Sequence, residues 1–213
     1  MKKVVLSLVL VASVLTACKS EKKEKIEVKE AVKVEEKTVD LDNVDTEVSV
    51  LNWKGTKPGG AHNGTVALES GTIVVEEGVL KSGEFVIDMT TITDLDIPAD
   101  NKGNGKLVAH LSNEDFFDVT TYPTSKFVIT SVEEVEDKLA VTGNLTIKDV
   151  TKSVTIPATV LEEGGVITLK SETFNVNRAD FNVKYGSKTF FGDLQDKFID
   201  DIMEMSFVVK TKA

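Results

Sequence analysis

From about residue 43 onward the chain repeats one device: apolar and polar residues alternate, and each run is closed by Gly, Asn or Asp. Val66 and Leu68 alternate in 65–70, and Phe85, Ile87 and Met89 share one face of 72–89, a stretch split by Glu77-Gly78. The same alternation carries Phe127 and Ile129, then Leu139, Val141, Gly143, Leu145 and Ile147, then Val154, Ile156, Ala158 and Val160. A glycine turn leads into 166–177, and Met203, Met205, Phe207 and Val209 close the series. Period two means strands with one face in an apolar interior and the other in water. Their number and spacing predict an all-β sandwich or barrel. Segment 100–117 departs from the pattern. There Leu107, His110 and Leu111 recur at helical spacing, which predicts a short helical excursion. Asp193–Asp200, with Leu194 and Phe198 four apart, reads as a second one. Pro157 lies inside a strand pattern, so that strand is an edge or carries a bulge.

The first 42 residues follow other rules. Lys2 and Lys3 precede an apolar run from Val4 to Leu15, too short to span a bilayer and suited to the core of a secretory signal. It ends in Leu15-Thr16-Ala17-Cys18, which resembles the lipobox of bacterial lipoproteins. The resemblance implies cleavage after residue 17, acylation of Cys18 and a membrane anchor. The plainer alternative is an ordinary signal with an incidental cysteine. Residues 18–42 are mostly Lys, Glu and Val without Gly or Pro, and read as a charged tether, either a solvated helix or a flexible coil. The folded domain is expected over 43–213.

Charge and chemistry narrow the function. A formal net charge of −10 argues against a nucleic-acid groove and against a polybasic lipid-binding face. Cys18 is the one cysteine, so neither an internal disulfide nor a cysteine zinc site can form. His62 and His110 are the two histidines. Each could be a metal ligand, a general base or a hydrogen-bonding group, and no HExxH spacing is present. The carboxylate pairs Asp94/Asp96, Glu114/Asp115 and Asp200/Asp201 are adjacent in loops, which does not set two acids across a cleft. They read as solvated surface. No nucleophile elbow or phosphate loop occurs, so neither an enzyme nor a cofactor is expected.

Five stretches, in order, resemble the YceI-like family: 59–73 with its His-x-Gly strand, 80–92, 110–130 (HLSNEDFFDVTTYPTSKFVIT), 141–157, and 174–186 with its Arg-x-x-Phe. Together they cover nearly all of 46–213. The resemblance implies an eight-stranded antiparallel, lipocalin-like β-barrel with a cavity for a long-chain amphiphile, polyisoprenoid or related lipid, outside the cytoplasm. Two positions depart from the family pattern. Asp149 stands where the central hairpin usually turns on glycine, and Asn182 follows Phe181 where glycine is usual. Aspartate tolerates the left-handed backbone, so the turn can survive. Asn182 is expected to leave its strand intact.

An eight-stranded barrel either fills with side chains or holds one small ligand. Phe85, Met89, Phe127, Phe174, Phe181, Met203, Met205 and Phe207 would give apolar, adaptable walls, methionine being suited to irregular shapes. Phe116 and Phe117 are expected on the helical segment, with the acids Glu114 and Asp115 at its start, as a lid over one barrel end or as part of the core. Arg178 alternates with Phe174, Val176 and Asp180 and so is expected to point toward the interior or its rim, where a guanidinium must be paired. Its partner is a protein carboxylate, Asp88 or Asp180, or else the polar group of a ligand. The reading is a tethered lipoprotein binding a long-chain lipid or isoprenoid; the alternative is a solid barrel with an acidic protein-binding surface.

Overall fold

The structure is a computed structural model that describes residue 26 and residues 28–33 and 42–213. The expected signal segment, Cys18 and most of the expected tether lie outside the described residues. The elements run β1 Val28–Glu30, β2 Val50–Lys57, β3 Gly60–Glu76, β4 Val79–Asp88, α1 Lys102–Ser112, β5 Thr124–Val135, β6 Lys138–Ile147, β7 Val150–Glu163, β8 Val166–Ser171, β9 Phe174–Asn177 and β10 Ile202–Lys210. Short 3₁₀ turns cover Met89–Thr91, Arg178–Phe181 and Gln195–Lys197.

Strands β2 to β7 pair in sequence order as antiparallel neighbours; β7 pairs β8, β8 pairs β10, and β10 returns to β2. Eight strands therefore close a barrel, and β9 continues the β8 side by pairing with β10. Register shifts at Leu68/Ser70 and Val74/Val75 in β3, and at Ile129/Ser131 in β5, supply the local bending that closure needs. Two-residue turns join most neighbours. Glu77-Gly78 has positive φ at both positions, as the right-handed twist of a hairpin demands. In the central hairpin the left-handed residue is Lys148 (φ 56°), not Asp149. Asn182 also differs from expectation: it lies in no strand, but caps the Arg178–Phe181 turn at φ 59°, a conformation asparagine tolerates better than most residues.

Pro157 sits where the pairing permits it. On one side β7 meets β6 over residues 150–158; on the other, β1 begins opposite Val154 and β8 ends opposite Ala158. The missing N–H falls in that gap, while the Pro157 carbonyl accepts from the Glu172 N–H. The same edge explains a departure from the uniform tether. Beside Thr151–Val154 the six-residue β8 has run out, leaving β7 unpaired, and Val28–Glu30 fills the place. Ile26 and Val28 pack against the core, and Glu30 pairs with Lys152 at 2.7 Å.

The interior divides along the barrel axis. At the end holding the Glu77-Gly78 and Gly164-Gly165 turns, Val44, Ile73, Leu80, Val141 and Leu169 are almost fully buried and fill the lumen. Val44 plugs this end: its N–H donates to Gly71 O, and it bridges Thr211. At the other end, under α1 and the segment 184–200, the lumen is hollow.

Candidate functional site

The hollow end holds a cavity of about 590 Å³. Alternation along β4, β5 and β10 turns Phe85, Phe127, Met203, Met205 and Phe207 into it, and Phe174 enters from β9. Met89 reaches it from the 3₁₀ turn after β4. Phe116, Phe117 and Arg178 complete the predicted set. Phe181 alone of that set does not line the cavity. It is fully buried behind the wall, because the chain leaves the strand after Asn177 and the turn Arg178–Phe181 reverses the alternation. Sequence reading missed Leu51, Trp53, Leu107, His110, Leu145 and Tyr185, which also line it. Leu145 and Leu107 stood in recognised patterns and could have been added; Tyr185 lies in an irregular loop with no periodic signal.

Helix α1 is the predicted excursion, shortened to 102–112. Leu107, His110 and Leu111 all face the cavity. Its N-cap is Asn101, whose side chain accepts from the Gly103 N–H. Glu114 and Asp115 come after the helix, so they do not act at its N-terminus, and Phe116 and Phe117 are carried by the turns that follow. These turns are pinned by backbone bonds from Phe117 N–H to Leu111 O and from Val119 N–H to Ser112 O. Phe116 is buried, with the rings of His110 and Tyr185 at 5.0 and 5.3 Å and the Arg178 guanidinium 5.6 Å over its face. Phe117 is half-buried and packs toward Val66, Ile87, Met89 and Ile92. Phe116 is thus a held plug and Phe117 the looser neighbour. The second predicted helix, 193–200, is only the 3₁₀ turn Gln195–Lys197.

Arg178 is 1% exposed. Its Nε donates to Asp200 O at 3.1 Å, Nη1 to Val183 O at 2.8 Å and Nη2 to Ile199 O at 2.9 Å, while Nη2 also pairs with the Asp201 carboxylate at 3.4 Å. The partner is therefore Asp201, not Asp88 or Asp180. Asp180 instead accepts from Asn177, and Asp88 caps the 3₁₀ turn after β4. Burial draws the guanidinium pKa below its usual value, and Asp201 and Asp200 oppose that pull. With these bonds made, Arg178 ties the 199–201 segment to the Arg178–Val183 turn.

Two of the three acidic pairs are less solvated than their sequence setting suggests, whereas Glu114 and Asp115 are exposed as expected. Asp201 holds Arg178, and Asp200 accepts from Thr56. Asp94 is buried and accepts from the Ile97 N–H at 3.0 Å and from Asn104. Burial, together with the facing Asp96 carboxyl, raises the Asp94 pKa. Burial acts upward on Asp96 too, but bonds from the Asn63 N–H and His62 outweigh it and leave that pKa lowered. His62 meets Asp96 at 3.0 Å, and His110 meets Asp115 at 3.4 Å. Gly64 makes the docking of this loop on β3 possible. A Cβ there would stand 1.8 Å from the Thr93 carbonyl oxygen, which accepts from the Trp53 indole.

Residues 40–211 match the YceI-like domain family. A UPF0312 protein of Pseudomonas putida is 44% identical over 81 residues, 35% of this chain and 42% of that protein. Protein YceI of Shigella flexneri is 44% identical over 55 residues, 26% of this chain and 29% of the other. The chain thus matches less than half the length of these curated relatives. Among solved structures, Burkholderia cenocepacia BcnA superposes with a TM-score of 0.64 at 23% identity, covering 80% of this chain and all of that one. A polyisoprenoid binding domain from Saccharophagus degradans, implicated in plant cell wall breakdown, gives 0.61 at 17% identity, covering 80% and 97%. The closed eight-stranded barrel, its single helix among the described residues and the match over 40–211 agree: this chain belongs to the YceI-like family.

Proposed function

We propose that this chain is a membrane-tethered lipoprotein whose barrel holds a long-chain amphiphile of polyisoprenoid, quinone or fatty-acyl type, for sequestration, transport or protection of the cell envelope. The observation that carries this reading is the cavity. Its volume falls within the roughly 300–1,000 Å³ usual for ligand sites, and its walls are methionine, phenylalanine and aliphatic side chains. Each methylene taken out of water there contributes about 0.8 kcal/mol. Lys57, His62, Asp196 and Lys197 stand at the rim, where a polar head can stay hydrated. The neighbour from Saccharophagus degradans, named for polyisoprenoid binding, supports the ligand class. The alternative of a solid barrel with an acidic protein-binding surface leaves this hollow end without a role.

Organic extraction of freshly purified protein, followed by mass spectrometry, should release a long-chain lipid in near-stoichiometric amount. Leu145→Trp puts an indole into open space and should leave the fold intact. It is expected to lower the affinity for a fluorescent polyprenyl or acyl probe at least tenfold. Unchanged probe binding in the folded variant would move the ligand out of the barrel.

Tethering rests on the Leu15–Cys18 stretch. Two or more acyl chains anchor stably where a single chain holds only marginally. Cys18→Ser is therefore expected to abolish acyl labelling and shift the protein from the membrane to the soluble fraction. A variant that kept its label or its membrane association would exclude Cys18 as the anchor.

A further inference from the structure

His62, Asp94 and Asp96 bring one ring nitrogen and two carboxylate oxygens within 4.8 Å of one another at the edge of the cavity mouth. Neither carboxylate is loose. Asp96 Oδ1 accepts from the Asn63 N–H at 2.8 Å, and Asp94 Oδ2 from the Ile97 N–H at 3.0 Å and Asn104 Nδ2 at 3.2 Å. The remaining atoms face inward. His62 Nδ1 and Asp96 Oδ2 are 3.0 Å apart. Asp94 is only 6% exposed, and its Oδ1 accepts no hydrogen bond among the described residues. A buried acceptor without a donor costs roughly 1–3 kcal/mol, and between two facing carboxyls only a shared proton or a bound cation relieves it.

We propose that His62, Asp94 and Asp96 form a binding site for a divalent first-row transition ion of the zinc class. Zinc takes His nitrogen and carboxylate oxygen at about 2.0–2.2 Å, which places neighbouring ligand atoms little more than 3 Å apart. The His62–Asp96 spacing is already near this, and the third ligand atom lies within 4.8 Å of both. The imidazole favours zinc and the later first-row ions over calcium, magnesium and manganese, which prefer all-oxygen shells. The bonds from Asn63, Ile97 and Asn104 orient the carboxylates from behind, as supporting groups do in metal sites. Three protein ligands leave a fourth position for water. The ion would fasten the 94–97 loop to β3 through charge, beside a bond already made from the Leu95 N–H to Asn63 O. This inference does not depend on a lipid in the barrel.

The test uses the full chain, stripped with chelator and dialysed, and titrated with Zn²⁺ by calorimetry and with Co²⁺ by absorption. Trp53, the one tryptophan of the chain, donates to the carbonyl of Thr93 next to Asp94, so its fluorescence reports Co²⁺ locally. The expected result is saturation at one ion per chain, quenching of Trp53 that tracks it, and a rise in Tm with Zn²⁺. His62→Gln and Asp94→Asn should each weaken binding at least tenfold and abolish the rise in Tm, while the surface control Glu134→Gln changes neither. If one variant fails to fold, Asp96→Asn replaces it. Absence of saturable binding, or equal binding by the folded variants, overturns the proposal and leaves the three residues as a hydrogen-bonded clasp.

Discussion

Arg178→Met is expected to destabilise the barrel by about 3–5 kcal/mol, the cost of breaking a buried ion pair from one side. The substitution keeps the stem but removes every donor. Asp200, Val183 and Ile199 lose the partner of a backbone carbonyl, and the Asp201 carboxylate loses its counter-charge. Phe116 also loses the cation over its ring. For a domain of this size the fall in Tm should be on the order of 10 °C, read by thermal unfolding followed by circular dichroism. The same bonds predict the binding result. Because the guanidinium is committed to the protein, affinity for a polar-headed lipid and for a headless hydrocarbon of equal length should move together. A selective loss for the polar-headed lipid would show that Arg178 reaches the ligand.

Gly64→Ala is expected to cost at least as much, for a steric reason. The added methyl would meet the Thr93 carbonyl oxygen and carbon, which are backbone and cannot rotate away. The 92–96 segment must lift from β3, which threatens the bonds from Thr93 N–H to Thr65 O, from Leu95 N–H to Asn63 O and from Trp53 to Thr93. Losing several such bonds at about 1 kcal/mol each, plus the exposure of Ile92, adds up to roughly 3 kcal/mol or more. Gly105→Ala provides the contrast. Gly105 lies within α1 with open space around its Cβ position, so alanine there should stabilise by about 0.5–1 kcal/mol. Denaturant unfolding of the two variants should move in opposite directions. Similar midpoints for both would show that the loop sits off β3 in solution.

Strands and wall residues were legible because alternation is a property of the local backbone. A pleated strand sends successive side chains to opposite faces. Val66, Leu68, Phe85, Phe127 and Met205 therefore announced their direction before any partner strand was known. The same logic placed Leu107, His110 and Leu111 on one side of a helix, and they do face the cavity. It failed where the chain stopped being a strand. Nothing in NVNRADF marks the change at Arg178, so Phe181 and Asp180 received the wrong faces.

The sequence alone determined the all-β class, the strand faces, the helical break and the family, since each follows from local periodicity or from the order of motifs. Tertiary structure decided everything that depends on which distant segments meet. It paired Arg178 with Asp201, set Gly64 under Thr93, gathered His62 with Asp94 and Asp96, and laid Val28–Glu30 on the open edge of β7. It also decided that half the lumen is filled and half is hollow. Both halves are lined by apolar side chains. The difference arises because Val44 plugs one end against Gly71, whereas α1 and the 184–200 segment roof the other without filling it. Packing is a sum over neighbours far apart in the chain, and no local pattern encodes it.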